Sequence, residues 1–120
     1  MTKILIIGGV AAGLKSAAKA RRENRDAEIT VIERGDIVSY GACGMPYYVS
    51  GEIEGIEELM STGSGKLRDE KYFEKEKGIH IEINTEALSI DRSVKTVQVR
   101  KSDSGEIQTL SYDKLVLATG

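Results

Sequence analysis

Ile4-Leu5-Ile6-Ile7-Gly8-Gly9-Val10-Ala11-Ala12-Gly13 is the stretch on which the reading of this chain turns. Four apolar residues in a row, stopped by paired glycines, have the pattern of a parallel strand buried on both faces. Val10 to Asn24 then reads as a helix, rich in alanine, with charged residues appearing from Lys15 onward. Glu28 to Ile32 is a second apolar strand, and Glu33 stands where it surfaces. Strand, helix and strand make a βαβ unit, which the chirality of such crossovers makes right-handed.

The glycine loop approximates the G-x-G-x-x-G fingerprint of dinucleotide folds, with Val10 in the middle glycine position. Such a loop needs a tight turn at Gly8, close backbone approach to a pyrophosphate, and close helix–strand packing at Gly13. Ala11 and Ala12 are small enough to meet the second demand in part. The helix N-terminus would offer N–H groups and positive dipole to phosphates. Glu33 adds to this reading, because an acid about 20 residues beyond the last glycine can bind ribose hydroxyls. A plain strand–helix turn without a ligand would show the same loop.

Outward from this unit, residues 35–65 are loop-rich, with a short helix expected near Ala42. Lys66 to Lys77 reads as a charged surface helix that Gly78 caps. Ile79–Ile83 is the next strand expected. Glu86–Asp91, Thr96–Arg100 and Ile107–Tyr112 follow at the short spacing of an antiparallel meander, and Lys114–Ala118 returns as an apolar strand. The expected fold class is therefore α/β: a Rossmann-like parallel sheet with helices, plus an antiparallel β-meander.

The 120 residues suffice for one domain with a real core. A net charge of −2 gives no global attraction to nucleic acid. The opening apolar run is too short for a signal peptide or a membrane span. No His, Cys and Asp cluster has metal-ligand spacing, so no metal is expected. His80, flanked by Ile79 and Ile81, reads as structural.

Cys43 is the single cysteine, in Ser39-Tyr40-Gly41-Ala42-Cys43-Gly44-Met45-Pro46-Tyr47-Tyr48. It cannot pair within the chain, and a lone thiol fits a reducing compartment, so the cytoplasm is the expected location. At the start of a short helix its pKa would fall and its thiolate fraction rise. A buried cysteine acting as a small hydrophobe is the other reading of the same residue.

Four stretches in one order resemble the FAD-dependent pyridine nucleotide–disulfide oxidoreductases. They are residues 6–13, Val31-Ile32-Glu33-Arg34, Ser39 through Tyr48, and Tyr112 through Gly120. The resemblance is to the single-cysteine branch of CoA-disulfide reductases, NADH oxidases and peroxidases, and persulfide or polysulfide reductases, in which valine also occurs at the Val10 position. It covers the chain from end to end and implies that residues 1–120 are the N-terminal part of an FAD-binding domain, incomplete relative to the family. It implies FAD as the bound dinucleotide and NAD(P)H as reductant, delivered through a domain beyond these residues.

By the same resemblance Gly8, Gly9, Val10, Ala11, Ala12 and Gly13 would hold the pyrophosphate and Glu33 the adenosine ribose. Arg34, Ala87, Ala118, Thr119 and Gly120 would line the rest of that half, with Ala42 also among the cofactor-binding residues. Cys43 would lie against the flavin ring and cycle between thiol and mixed disulfide or sulfenate, its second sulfur coming from substrate. Ser39, Arg22 and Lys71 match positions that contact CoA in the CoA-disulfide reductases.

Lys15, Lys19 and Arg22 also share one helical face by their spacing, a stripe that could meet CoA phosphates or simply be solvated. Position 42, often asparagine in those reductases, is Ala42 here, which bears on the CoA-disulfide reading and not on persulfide or polysulfide. The expected parent is a homodimer that reduces a small disulfide or persulfide, CoA-linked, with no nucleic acid or membrane partner. The rival expectation is an isolated nucleotide-binding module without turnover.

Overall fold

In the computed structural model, residues 2–36, 49–51 and 70–120 are described. The segment 39–48, with Ser39, Ala42 and Cys43, lies outside the described residues, as does the helix expected near Ala42. Strands β1 (Lys3–Ile7), β2 (Glu28–Ile32), β3 (His80–Glu82) and β7 (Lys114–Leu117) form a parallel sheet in the order β3-β2-β1-β7. Strands β4 (Thr85–Asp91), β5 (Thr96–Lys101) and β6 (Ile107–Ser111) form the antiparallel meander.

Helix α1 spans Ala11–Glu23, so Val10 and Asn24 are its caps and not its first and last turns. Of the helix expected over 66–77, the described part is α2 (Glu70–Tyr72), which continues as a π-helical turn over Phe73–Lys77. Gly78 closes it at φ 64, ψ 32, a left-handed conformation that costs glycine little.

The sheet's two faces are buried against different partners. Ile6, Ile29, Val31 and Ile81 pack with Leu14 and Ala17 of α1 and with Phe73. Leu5, Ile7 and Ile32 point the other way, onto Val97 and Val99 of the meander and Tyr112. This is why β1 carries apolar residues from Ile4 to Ile7 without alternation: a strand covered on both sides has no solvent face to mark. Burying one such isoleucine is worth roughly 1.5–3 kcal/mol. The result is three layers, helices over parallel sheet over meander.

Because β2 lies on one side of β1 and β7 on the other, the chain's direction of progress reverses at β1. In open α/β sheets the crevice for ligands forms at the carboxyl ends of strands flanking such a reversal. Among the described residues no helix is long and apolar enough to cross a membrane.

Candidate functional site

A groove of about 720 Å³ opens at that reversal. Its floor is the carboxyl ends of β1, β2 and β7, through Ile7, Gly8, Ile32 and Leu117, and Thr119 and Gly120 close one end. Its far wall is β4, which contributes Thr85, Ala87, Leu88 and Ile90.

The turn out of β1 is built for close backbone contact. Gly8 sits at φ 118, and a Cβ there would overlap the carbonyl oxygen of Ala118. A Cβ on Gly13 would overlap the carbonyl oxygen of Gly8 and stand 3.3 Å from Ile6 Cγ2. Both glycines are therefore demanded by sterics, Gly8 so that β7 can run on past the loop and Gly13 so that α1 can press against β1. Val10 caps α1 in extended backbone, with no side chain bonding the first turn and no acid within it. Among the described residues no side chain caps the first turn of α1, and its N–H groups together with the helix dipole favour an anion.

Glu33 stands at the end of β2 and is half-buried. Its Oε1 accepts the Gly9 N–H at 2.8 Å, and its Oε2 accepts the Gly35 N–H at 2.7 Å. An ionised carboxylate offers about four lone-pair directions, so roughly two remain for a ligand once the amides are bound. The backbone around it is equally tied down. Glu33 N–H donates to the Glu82 carbonyl (2.9 Å), Thr85 N–H to the Glu33 carbonyl (3.0 Å), and Gly8 N–H to the Ile32 carbonyl (2.8 Å).

Behind this loop, Glu82 accepts from Lys101 Nζ at 3.0 Å and pairs with His80 Nε2 at 2.7 Å. Partial burial alone would raise the Glu82 pKa, but the bonds to His80 and Lys101 outweigh it and hold the carboxyl below its usual range. The same bond to Glu82 raises the Lys101 pKa.

Of the residues singled out from sequence, Gly8, Glu33, Arg34, Ala87, Thr119 and Gly120 line the groove. Gly9 reaches it through its bond to Glu33, Gly13 is buried beneath it, and Ala11 and Ala12 are exposed on the first turn of α1. Lys15, Lys19, Arg22 and Lys71 are all exposed and none lines the groove, and Lys19 is engaged by Glu23 at 2.8 Å. The wall made by Thr85, Leu88 and Ile90 went unread in the sequence. The run Ala87-Leu88-Ser89-Ile90 does break strict alternation, and the register shift between Ala87 and Ser89 is the structural counterpart of that break.

Comparison with known proteins agrees with this geometry. A family model described as pyridine nucleotide-disulphide oxidoreductase matches residues 2–120. The solved structure of an NAD-dependent persulfide reductase from A. fulgidus superposes with a TM-score of 0.94 at 48% identity, covering 99% of this chain and 22% of that one. A coenzyme A disulfide reductase of Staphylococcus haemolyticus is 30% identical over 120 residues, all of this chain and 26% of that protein. An NADH oxidase of Methanocaldococcus jannaschii is 30% identical over 118 residues, 98% of this chain and 25% of that protein. The chain thus spans about a quarter of the length of the curated relatives it matches.

Proposed function

The chain belongs to the pyridine nucleotide-disulphide oxidoreductase family, and from that premise we propose that it is the N-terminal part of the FAD-binding domain of an NAD(P)H-dependent disulfide or persulfide reductase. The observation that carries the cofactor reading is the Glu33 carboxylate, pinned by two backbone amides beside an uncapped helix N-terminus. The residues fit an adenine dinucleotide. Gly8 and Gly13 leave no room for side chains, the first turn of α1 would face the pyrophosphate, and Glu33 would take the ribose diol. Arg34, Ala87, Thr119 and Gly120 would enclose the adenosine, with Ala118 held behind Gly8 by its N–H bond to the Ile7 carbonyl (2.8 Å).

When bound, the flavin supplies two-electron transfer from reduced nicotinamide to a sulfur–sulfur bond. The chain's own chemical group is Cys43. Its thiolate would attack one sulfur of the substrate, forming a mixed disulfide and releasing the other sulfur as a thiolate. Two electrons and a proton then return Cys43 to thiolate and free the second product as a thiol. The nicotinamide site and the homodimer contacts belong to the parent beyond these residues.

A CoA-linked substrate is the reading we favour, with persulfide ahead of disulfide. The 48% identity to a persulfide reductase supports this order, as does Ala42, which lacks the amide often found there in CoA-disulfide reductases. Lys15, Lys19, Arg22, Ser39 and Lys71 are the residues proposed to meet CoA. The Lys19–Glu23 pair is no obstacle, since an exposed i,i+4 pair is worth only about 0.3–0.5 kcal/mol.

Mass spectrometry of the untreated parent tests the substrate directly. A CoA or persulfide adduct on Cys43 is expected. Oxygen adducts alone would favour an oxidase or peroxidase, and disulfide or persulfide reduction unchanged in Cys43→Ser would remove the cysteine from the mechanism.

A further inference from the structure

Glu33 is held by a loop, and that loop is held by a residue with an unusual backbone. Asn84, between β3 and β4, sits at φ 51, in the left-handed region that side-chain-bearing residues seldom enter and asparagine tolerates best. Both of its backbone polar groups are committed. Its N–H donates to the Gly35 carbonyl at 2.9 Å, and its carbonyl accepts the Ser102 N–H at 2.8 Å. Gly35 is the residue whose own N–H reaches Glu33 Oε2 at 2.7 Å. Thr85, the next residue along, donates its N–H to the Glu33 carbonyl at 3.0 Å.

We propose that Asn84 is a positioning residue for the ribose-binding carboxylate: its left-handed turn, anchored on the end of β5, fixes Gly35 so that Gly35 fixes Glu33. Three features make this more than a passing turn. The backbone of Asn84 joins the 33–35 loop to Ser102, the residue after β5. The bond it makes lies on the ligand side of β2, where Gly35 is exposed. The conformation cannot be adopted cheaply by a β-branched residue, so its contribution can be removed without touching the groove. Asn84 itself does not line the groove.

The inference rests on the nucleotide reading above, and its test separates the two. Binding of ADP and of 2′,3′-dideoxy-ADP to the chain is measured by calorimetry for wild type, Asn84→Gly and Asn84→Val, together with amide hydrogen exchange at Gly9 and Gly35. If the carboxylate takes the ribose diol, wild type prefers ADP by roughly tenfold, the worth of a charge-assisted bond. Asn84→Gly, which keeps the left-handed turn, retains that preference. Asn84→Val loses most of it, and its Gly35 amide exchanges faster. A merely structural role would weaken both ligands equally and leave the ratio unchanged.

Asn84→Val with the full ratio and unaltered Gly35 exchange overturns the proposal while leaving the nucleotide reading intact. No ribose preference in wild type overturns the ribose reading instead, and Gly35 exchange alone then decides whether Asn84 sets the loop. Should Asn84→Val fail to fold, Asn84→Ala takes its place with the same expected direction.

Discussion

The two ends of the parallel sheet use a similar device to opposite effect. At the carboxyl end, Glu33 accepts two backbone N–H groups, and its remaining lone pairs face a groove. At the amino end, the Arg21 guanidinium donates to the carbonyls of Gly78 and Arg25, each at 2.7 Å, and more weakly to that of Asn24 at 3.5 Å. Its Nε is buried without a partner among the described residues. Arg21 thereby ties the end of α1 to the cap of the 70–77 helix, and its Nε is shut inside. A charged side chain tied to backbone is thus a clamp where its remaining capacity is enclosed and a binding group where that capacity opens on a cavity. The difference lies in the glycines: Gly8 and Gly13 keep the carboxyl end clear, whereas the recess beside Arg21 is edged by Arg25, Asp26, Glu28 and Lys77, of mixed sign.

The largest effect is expected at Gly8. Gly8→Ala would set a methyl group into the Ala118 carbonyl and force a left-handed φ on alanine. Backbone cannot swing aside as a side chain can, so a loss of about 3 kcal/mol is expected in urea unfolding, with loss of ADP binding. An alanine variant of full stability would mean that β7 can move off the loop.

Glu33→Ala is next and sharpens the contrast. It strips the Gly9 and Gly35 amides of their acceptor, and ADP affinity should fall by roughly ten- to a hundredfold in calorimetry. Stability should change less, because Gly35 is exposed and its amide can turn to water, so that only the buried Gly9 amide is left without an acceptor. Arg21→Met reverses the pattern. Methionine keeps much of the buried stem while three carbonyls lose their donor, so about 1–2 kcal/mol of stability is expected to go with ADP affinity unaltered. Equal losses of binding in the two variants would abolish the distinction between clamp and binding group.

How much of this was legible depended on range. The βαβ unit, the meander and the Gly78 cap are local patterns, and each observed strand or helix boundary in them falls close to where periodicity put it. Gly8, Gly13 and Glu33 were legible because a strand, a turn and a helix of standard length leave few places for the second strand's end. Of the β4 wall only Ala87 was named, through family resemblance, since nothing in the spacing of Thr85 to Ile90 says that the meander folds back across the carboxyl ends of β1 and β2. Asn84 was hidden for the same reason: its partners, Gly35 and Ser102, are far away in sequence. His80 was read as structural, and it is exposed on β3 and bonded to Glu82. The Lys15, Lys19 and Arg22 stripe is exposed as its spacing implied, and a solvated face explains that exposure as well as a ligand does.

The smallest effect belongs to the pair that joins the sheets behind the groove, Lys101 and Glu82. Glu82 has its pKa lowered in the folded chain from the usual 4.5, so its contribution is complete above that value and is lost as pH falls through the folded value. Lys101 has its pKa raised from 10.5, so its contribution is complete below that value and is lost as pH rises through the folded one. Stability should therefore hold level between these limits and fall on both sides, more steeply in wild type than in Lys101→Met. Both side chains keep about a third of their surface in water, at 28% and 32% exposure, so the difference should stay under about 1 kcal/mol and shrink in high salt. The measurement is urea unfolding across the pH range for both proteins. Parallel curves on both limbs would mean that the Lys101–Glu82 contact adds nothing to folding, and that backbone bonds, from Asn84 to Gly35 and from Thr85 to Glu33, fasten the meander at this corner.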